Sequence, residues 1–201
     1  MKTKFLAPCV LFAAFCAAGQ GTTTFLYDQQ SSTDETPLPY GTGGSLQGSS
    51  PGAGQSFTPG LAGVDFVKFM LIDGNPTDGL GTTISVNLRS GSISGPVLGS
   101  TAPVTTPDGF HGAATFLFPA EVPVSPGTQY YFEVVPQSGG PMNIFGTSYS
   151  YSGGVSYANG HPRPGSVLWF REGIIVPEPS SAAFLLVAAG TLWLLRRRRL
   201  Q

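Results

Sequence analysis

Apolar and polar residues alternate most regularly over Thr83–Arg89, where Ile84, Val86 and Leu88 fall on one face and Ser85, Asn87 and Arg89 on the other. A period of two predicts a half-buried sheet strand. Val64–Ile72 is almost continuously apolar and rich in β-branched and aromatic residues, and Asp73-Gly74-Asn75-Pro76 follows it with turn chemistry. That pattern predicts a strand covered on both faces. Further strands are predicted at Thr22–Tyr27, Gln55–Thr58, Ala114–Phe118, Gln129–Val135, Asn143–Thr147 and Val167–Arg171, separated by clusters such as Thr106-Pro107-Asp108-Gly109 and Ser125-Pro126-Gly127. No stretch between Gly19 and Val176 sustains a helical period. Many short strands at this spacing predict an all-β domain, an antiparallel two-sheet sandwich of jelly-roll type. Asp34–Gly54 has little to bury and much Gly, Ser and Pro, so it is expected to be a long mobile loop behind an N-terminal edge strand.

The two ends of the chain follow a different pattern. Lys2 and Lys4 precede a mostly apolar stretch, Phe5–Ala18, which closes on the small residues Cys16-Ala17-Ala18. This is the layout of a removable signal peptide over residues 1–18, cleaved after Ala18. A lipid attachment site is disfavoured, because bulky Phe15 precedes Cys16 and Pro8 precedes Cys9. Both cysteines leave with the signal. The mature chain then has no disulfide, no thiolate nucleophile and no cysteine-ligated metal.

At the other end stand Pro177-Glu178-Pro179, an apolar run from Ala182 to Leu195, and Arg196-Arg197-Arg198-Arg199. An extended Pro-Glu-Pro segment does not continue a helix. The apolar run can enter a bilayer, and four arginines hold its far end in the cytoplasm. As a helix the run is about 21 Å long, short against a hydrocarbon core of about 30 Å. A span of about 180–195 therefore draws in Ser180 and Ser181, with local thinning and snorkelling arginine stems.

Taken together, Pro177-Glu178-Pro179, the apolar run and the arginines resemble the PEP-CTERM sorting signal of Gram-negative bacteria. The resemblance implies that an exosortase recognises the Pro-Glu-Pro motif. With signal peptidase, it would be a partner during export to the cell surface or matrix.

Between the signals the charge is lopsided. Residues 19–176 carry four bases (Lys68, Arg89, Arg163, Arg171) against ten acids, a net charge of −6. Phosphate binding needs clustered Lys or Arg, so a nucleic-acid partner is not expected. The size suits one ordinary domain with a core of its own.

Four short motifs in this domain are similar to those of the choice-of-anchor β-sandwich domains: Gln55-Ser56-Phe57-Thr58, Gly127-Thr128-Gln129-Tyr130-Tyr131, Tyr151-Ser152-Gly153-Gly154 and Leu168-Trp169-Phe170-Arg171. The likeness covers roughly Gln55–Glu172. It implies an extracellular module carried by one of several surface anchors, and it brings neither a ligand nor a catalytic residue.

Catalytic patterns are weak. Gly48-Ser49-Ser50-Pro51-Gly52 matches a nucleophile elbow on paper, but Pro51 lacks the backbone N–H that the oxyanion requires. His111 and His161 stand alone in loops without a metal-ligand spacing. A glycosidase needs two carboxyls across one cleft, and sequence alone does not pair any of the ten acids. No catalytic residue and no cofactor is expected. Asp73, Asn75 and Asp78 place alternating oxygens on a tight turn, a weak Ca²⁺ candidate without the spacing or terminal Glu of an EF-hand. Turn chemistry is the plainer explanation.

Tyr149, Tyr151 and Tyr157 surround a Gly-Gly loop, and exposed rings of this kind stack on the apolar faces of sugars. They are the candidate glycan-binding residues, against the alternative that they pack into the core. An ice-facing surface would call for a regular Thr-x-Thr array, which is missing. The sequence thus points to a surface protein with a structural, adhesive or polysaccharide-binding role. The competing class is a secreted hydrolase acting on polysaccharide or ester.

Overall fold

The structure, a computed structural model, describes residues 23–36, 44–47, 52–147 and 149–177. The expected signal peptide, Glu178 and Pro179, the apolar span and Arg196–Arg199 lie outside the described residues. Residues 24–176 form one compact unit, and of the remainder only Thr23 and Pro177 are described.

Fourteen strands are present among the described residues: β1 (Thr23–Gln30), β2 (Gly44–Gln47), β3 (Gly54–Phe57), β4 (Gly63–Asp73), β5 (Thr82–Ser90), β6 (Val97–Ser100), β7 (Val104–Thr106), β8 (His111–Pro123), β9 (Tyr130–Gly139), β10 (Met142–Thr147), β11 (Ser156–Ala158), β12 (His161–Arg163), β13 (Val167–Leu168) and β14 (Phe170–Pro177). None of the described residues is helical.

The strands make two antiparallel sheets. In the first, β4 is the spine, paired with β8 over its whole length on one side. On its other side β14 pairs with Phe66–Phe69 and β10 with Leu71–Asp73. The second sheet runs β12-β11-β3-β9-β5-β6, with β7 beside the start of β5. Ile84, Val86 and Leu88 of β5, Phe132 and Val134 of β9, and Val67, Phe69 and Leu71 of β4 all lie in the core between the sheets. Burying these rings and branched chains supplies the main folding drive.

Seven of the eight expected strands are found with their ends shifted by a few residues, and the eighth, Val167–Arg171, is divided at Trp169 between β13, which pairs with β10, and β14, which pairs with β4. The expectation that β4 is covered on both faces also holds. Its inward residues join the main core, while Met70 and Ile72 on the outward face pack with Phe145 and Trp169 in a second apolar cluster.

Two departures have identifiable causes. The stretch expected as an uninterrupted loop, 34–54, contains β2, which pairs with β10 through Gln47↔Asn143 and Leu46↔Ile144. β-Ladder partners far along the chain impose that strand, and its Gly/Ser-rich sequence carries no period to announce it. The hairpin of β11 and β12 was also not expected. It turns through Asn159 and Gly160, both at positive φ (53° and 76°), the conformation a two-residue hairpin turn demands.

Candidate functional site

The motif around β3 is a stitch between the sheets. Gln55 is fully buried, and its Oε1 accepts the N–H of Leu168 in the opposite sheet at 2.8 Å while its Nε2 donates to the Ser56 carbonyl at 2.8 Å. Ser56 Oγ accepts from the Val155 N–H at 2.9 Å. Thr58 donates through Oγ1 to the Gly153 carbonyl at 3.0 Å, and its N–H donates to Tyr151 Oη at 3.1 Å. The sequence motifs at 55–58, 151–154 and 168–171 therefore meet one another through backbone and side-chain hydrogen bonds. Buried polar groups need such partners, so the shared work of these residues is to lock two sheets and one loop together.

That stitching changes the reading of the tyrosines. Tyr151 is half-buried, packs edge-on to Phe170 at 5.1 Å, and donates from Oη to Gln29 Oε1 at 3.3 Å. Burial pushes its phenol pKa up to about 12. Tyr149 is half-buried against both apolar clusters. Tyr157 sits on β11, half-buried and edge-on to Tyr131 at 5.6 Å. The three candidate glycan-binding rings, weighed against core packing, are thus divided between core packing and the second sheet. The reason is the Gly-Gly loop, which folds down onto Ser56 and Thr58 instead of standing away from the domain.

The acidic turn after β4 is likewise occupied. Asp73 is buried; its Oδ1 accepts the Asn75 N–H at 2.8 Å and its Oδ2 the Gly109 N–H at 2.9 Å. Asn75 turns its amide Nδ2 toward Asp78 Oδ2 at 3.1 Å, and Asp78 Oδ1 accepts the Leu80 N–H at 2.8 Å. Oxygens engaged by N–H donors, with an amide NH₂ facing inward, describe turn chemistry and not a cation cage. No group of three or more His, Cys, Asp or Glu side chains suited to a metal is found among the described residues.

The histidines lie apart: His111 on β8 of the first sheet, His161 exposed on β12 at the edge of the second. Of the Gly48–Gly52 string only Gly52 is described. A groove of about 320 Å³ runs between β6 and the far end of β8, lined by Leu98, Phe118, Glu121 and Val122 among others. It brings no second titratable side chain to Glu121.

One carboxyl pair is close. Glu172 is fully buried on β14 and neither of its oxygens makes a hydrogen bond of good geometry. Burial, and then the Asp28 carboxylate beside it, push its pKa up to about 9, against a smaller lowering by the Gln29 N–H. Asp28 Oδ2 accepts the N–H groups of Gly60 at 2.6 Å and Leu61 at 2.9 Å. The Asp28 carboxylate fastens β1 to the loop at Gly60 and Leu61, and with Glu172 fully buried the pair does not face a cleft as a glycosidase pair must.

The outward face of the first sheet carries the most concentrated chemistry. Lys68 of β4 and Arg171 of β14 are paired residues of adjacent strands. Glu35 Oε1 receives both, Lys68 Nζ at 2.9 Å and Arg171 Nη1 at 2.7 Å. The Arg171 guanidinium stands 3.5 Å from the centre of the Tyr27 ring, and Lys68 Nζ stands 5.8 Å from the rings of Phe25 and Tyr27. Arg171 Nε also donates to Gln30 Oε1 at 2.9 Å. Burial works against the charge of Lys68, but its bonds to Glu35 and Tyr27 outweigh that and hold its pKa above the ordinary lysine value. The Lys68 bond in turn holds the Glu35 carboxyl below its usual range. Sequence reasoning missed this group. Its signal was present as a single base inside each of two apolar strands, Phe66-Val67-Lys68-Phe69 and Trp169-Phe170-Arg171.

Compared with known protein families and with curated proteins, the chain matches none.

Proposed function

We propose that this chain is an exported protein whose β-sandwich works at the cell surface or in an extracellular polysaccharide matrix, in a structural, adhesive or polysaccharide-binding role. Residues 1–18 direct its export, and residues 177–201 are a sorting signal of the PEP-CTERM kind. The observation that carries this reading is the order of the tail: Pro177-Glu178-Pro179, the apolar run Ala182–Leu195, then Arg196–Arg199. The described part of the fold is compatible with that order, since β14 ends at Pro177, the first residue of the motif. Exosortase and signal peptidase are the partners during export, and the span at about 180–195 holds the chain in the membrane until processing.

The sandwich is proposed to be of jelly-roll type. Eight of the strands support this, because β3, β4, β5, β8, β9, β10, β11 and β14 alternate between the two sheets in chain order. A binding or structural role is preferred to a secreted hydrolase. Buried Gln55 is engaged in joining the sheets, and Glu172 of the close carboxyl pair is fully buried.

Alkaline phosphatase fusions test the topology. Joined after Val176, the enzyme is expected to be active, because its fusion point lies outside the cytoplasm; joined after Gln201, inactive. Activity from the Gln201 fusion overturns the topology and with it the sorting signal.

A further inference from the structure

Lys68 and Arg171 pose an electrostatic problem that the fold has solved in an unusual place. Like charges directly across two strands destabilise a sheet, and here both sit largely covered on one face, each side chain 13 % exposed. A single oxygen of Glu35 bridges them. Among the described residues one carboxylate stands against two cations, which leaves one positive charge over, in a domain whose net charge is −6. Of the domain's other bases, Arg89 is engaged by Glu133 at 2.6 Å and Arg163 is exposed on β12 in the opposite sheet.

The bridging carboxylate is also the most accessible member of the group, 40 % exposed. It belongs to the segment after β1, whose carbonyl at Asp34 accepts the Trp169 Nε1–H at 2.8 Å. Beneath the two cations the half-buried rings of Phe25 and Tyr27 lie 6.4 Å apart and within 27° of parallel, supported edge-on by buried Phe66. Two donors converging on a carboxylate above an aromatic floor are the parts that recognise an acidic sugar. The cations take the carboxylate in charge-assisted bonds, the Tyr27 face holds the Arg171 guanidinium at 3.5 Å, and Phe25 offers apolar contact to the sugar's C–H groups.

We propose that Lys68 and Arg171 form a carboxylate site for an acidic, uronate-bearing polysaccharide, with Phe25 and Tyr27 as its apolar floor and Glu35 as an internal ligand that the uronate carboxylate displaces. Glu35 then acts as a latch. It keeps the two cations compatible when no polysaccharide is present and lowers affinity by competing for them. The ligand class rests on the proposal that the domain meets extracellular polysaccharide. Export and binding are measured separately, so failure of either is recognisable by itself.

The test uses the full chain in detergent micelles, titrated with a short galacturonate oligomer and with its methyl ester, which keeps the sugar and removes the charge. The acid is expected to bind at least about tenfold more tightly than the ester. Glu35→Gln is expected to tighten acid binding by about threefold or more. Lys68→Gln and Arg171→Gln are expected to weaken it by about tenfold, with Arg171→Lys between them and wild type, because it keeps the charge and loses the fork. Thermal melts identify any variant that fails to fold, and the ester comparison and Glu35→Gln decide the matter without the two cation variants. Equal binding of acid and ester overturns the proposal. So does an absence of acid binding by both wild type and Glu35→Gln.

Discussion

Gln55 Oε1 and the Leu168 N–H, 2.8 Å apart, belong to opposite sheets of the sandwich. The bond crosses an interior otherwise filled with rings and branched chains. A donor buried without its partner costs roughly 1–3 kcal/mol. Gln55→Leu keeps the size and removes the acceptor, so it is expected to lower unfolding stability by about that amount in a urea titration. A change below about 0.5 kcal/mol would show that the stitch contributes nothing beyond packing.

Tyr151 gives a spectroscopic readout of the same seam. Its hydroxyl accepts from Thr58 and donates to Gln29, and burial raises its pKa to about 12. Absorbance titration at the phenolate band should therefore show one tyrosine ionising about two units above an ordinary phenol, and Tyr151→Phe should remove that step. The same substitution is expected to cost about 1–2 kcal/mol of stability. Persistence of the late step in Tyr151→Phe would assign it to another residue.

Much of the fold was legible in the sequence because burial leaves a period. Ile84, Val86 and Leu88 announced β5 by alternation, and the unbroken apolar run at Val64–Ile72 announced a strand covered twice. Exposed short strands leave no such trace. Val97 and Leu98 of β6 are about half exposed, so their neighbours on the chain do not alternate against a core. The site residues divide by the same logic. Tyr149 and Tyr151 looked free because they flank Gly153 and Gly154, yet the absence of side chains at those glycines is what lets the loop close on Ser56: a Cβ on Gly154 would lie 1.9 Å from the Ser56 carbonyl oxygen. Glu35, Lys68 and Arg171 are far apart in the chain; the pairing of β4 with β14 sets Lys68 beside Arg171, and the segment after β1 brings Glu35 to both.

Buried Glu172 makes stability depend on pH. Its folded pKa, about 9, lies above the ordinary value of 4.5, so the folded state holds the proton more tightly. Its contribution is fully present below about 4.5 and is lost as pH rises toward 9. Asp28 is the titratable group that acts on it, and the charge of Glu172 in turn raises the pKa of Tyr151. Stability should fall between pH 5 and 9, and Glu172→Gln should flatten that slope. An equal slope in both proteins would contradict the assignment.

The turn at Asp73 should not respond to chelators, because both of its carboxylate oxygens already accept backbone N–H groups. Melting temperatures with and without EDTA are expected to agree, whereas Asp73→Ala should cost about 1–3 kcal/mol by leaving the Asn75 and Gly109 donors without partners. A fall of several degrees on chelation would restore a calcium role for Asp73, Asn75 and Asp78.

The central claim, that the chain is sorted to the surface through its tail, is tested most directly by fractionating cells of an exosortase-containing host that express wild type, Glu178→Gln and a variant lacking Arg196–Arg199. A rigid spacer needs only the backbone that Pro177 and Pro179 impose, and Glu178→Gln leaves that intact. Recognition by an enzyme needs the carboxylate as well, as a charged acceptor for a buried donor. Wild type is predicted to lose its arginine tail and leave the inner membrane, and both variants to stay there with their tails uncleaved. The same distribution for all three proteins, each retaining the rest of its tail, would contradict the sorting claim and make residues 177–201 a permanent anchor.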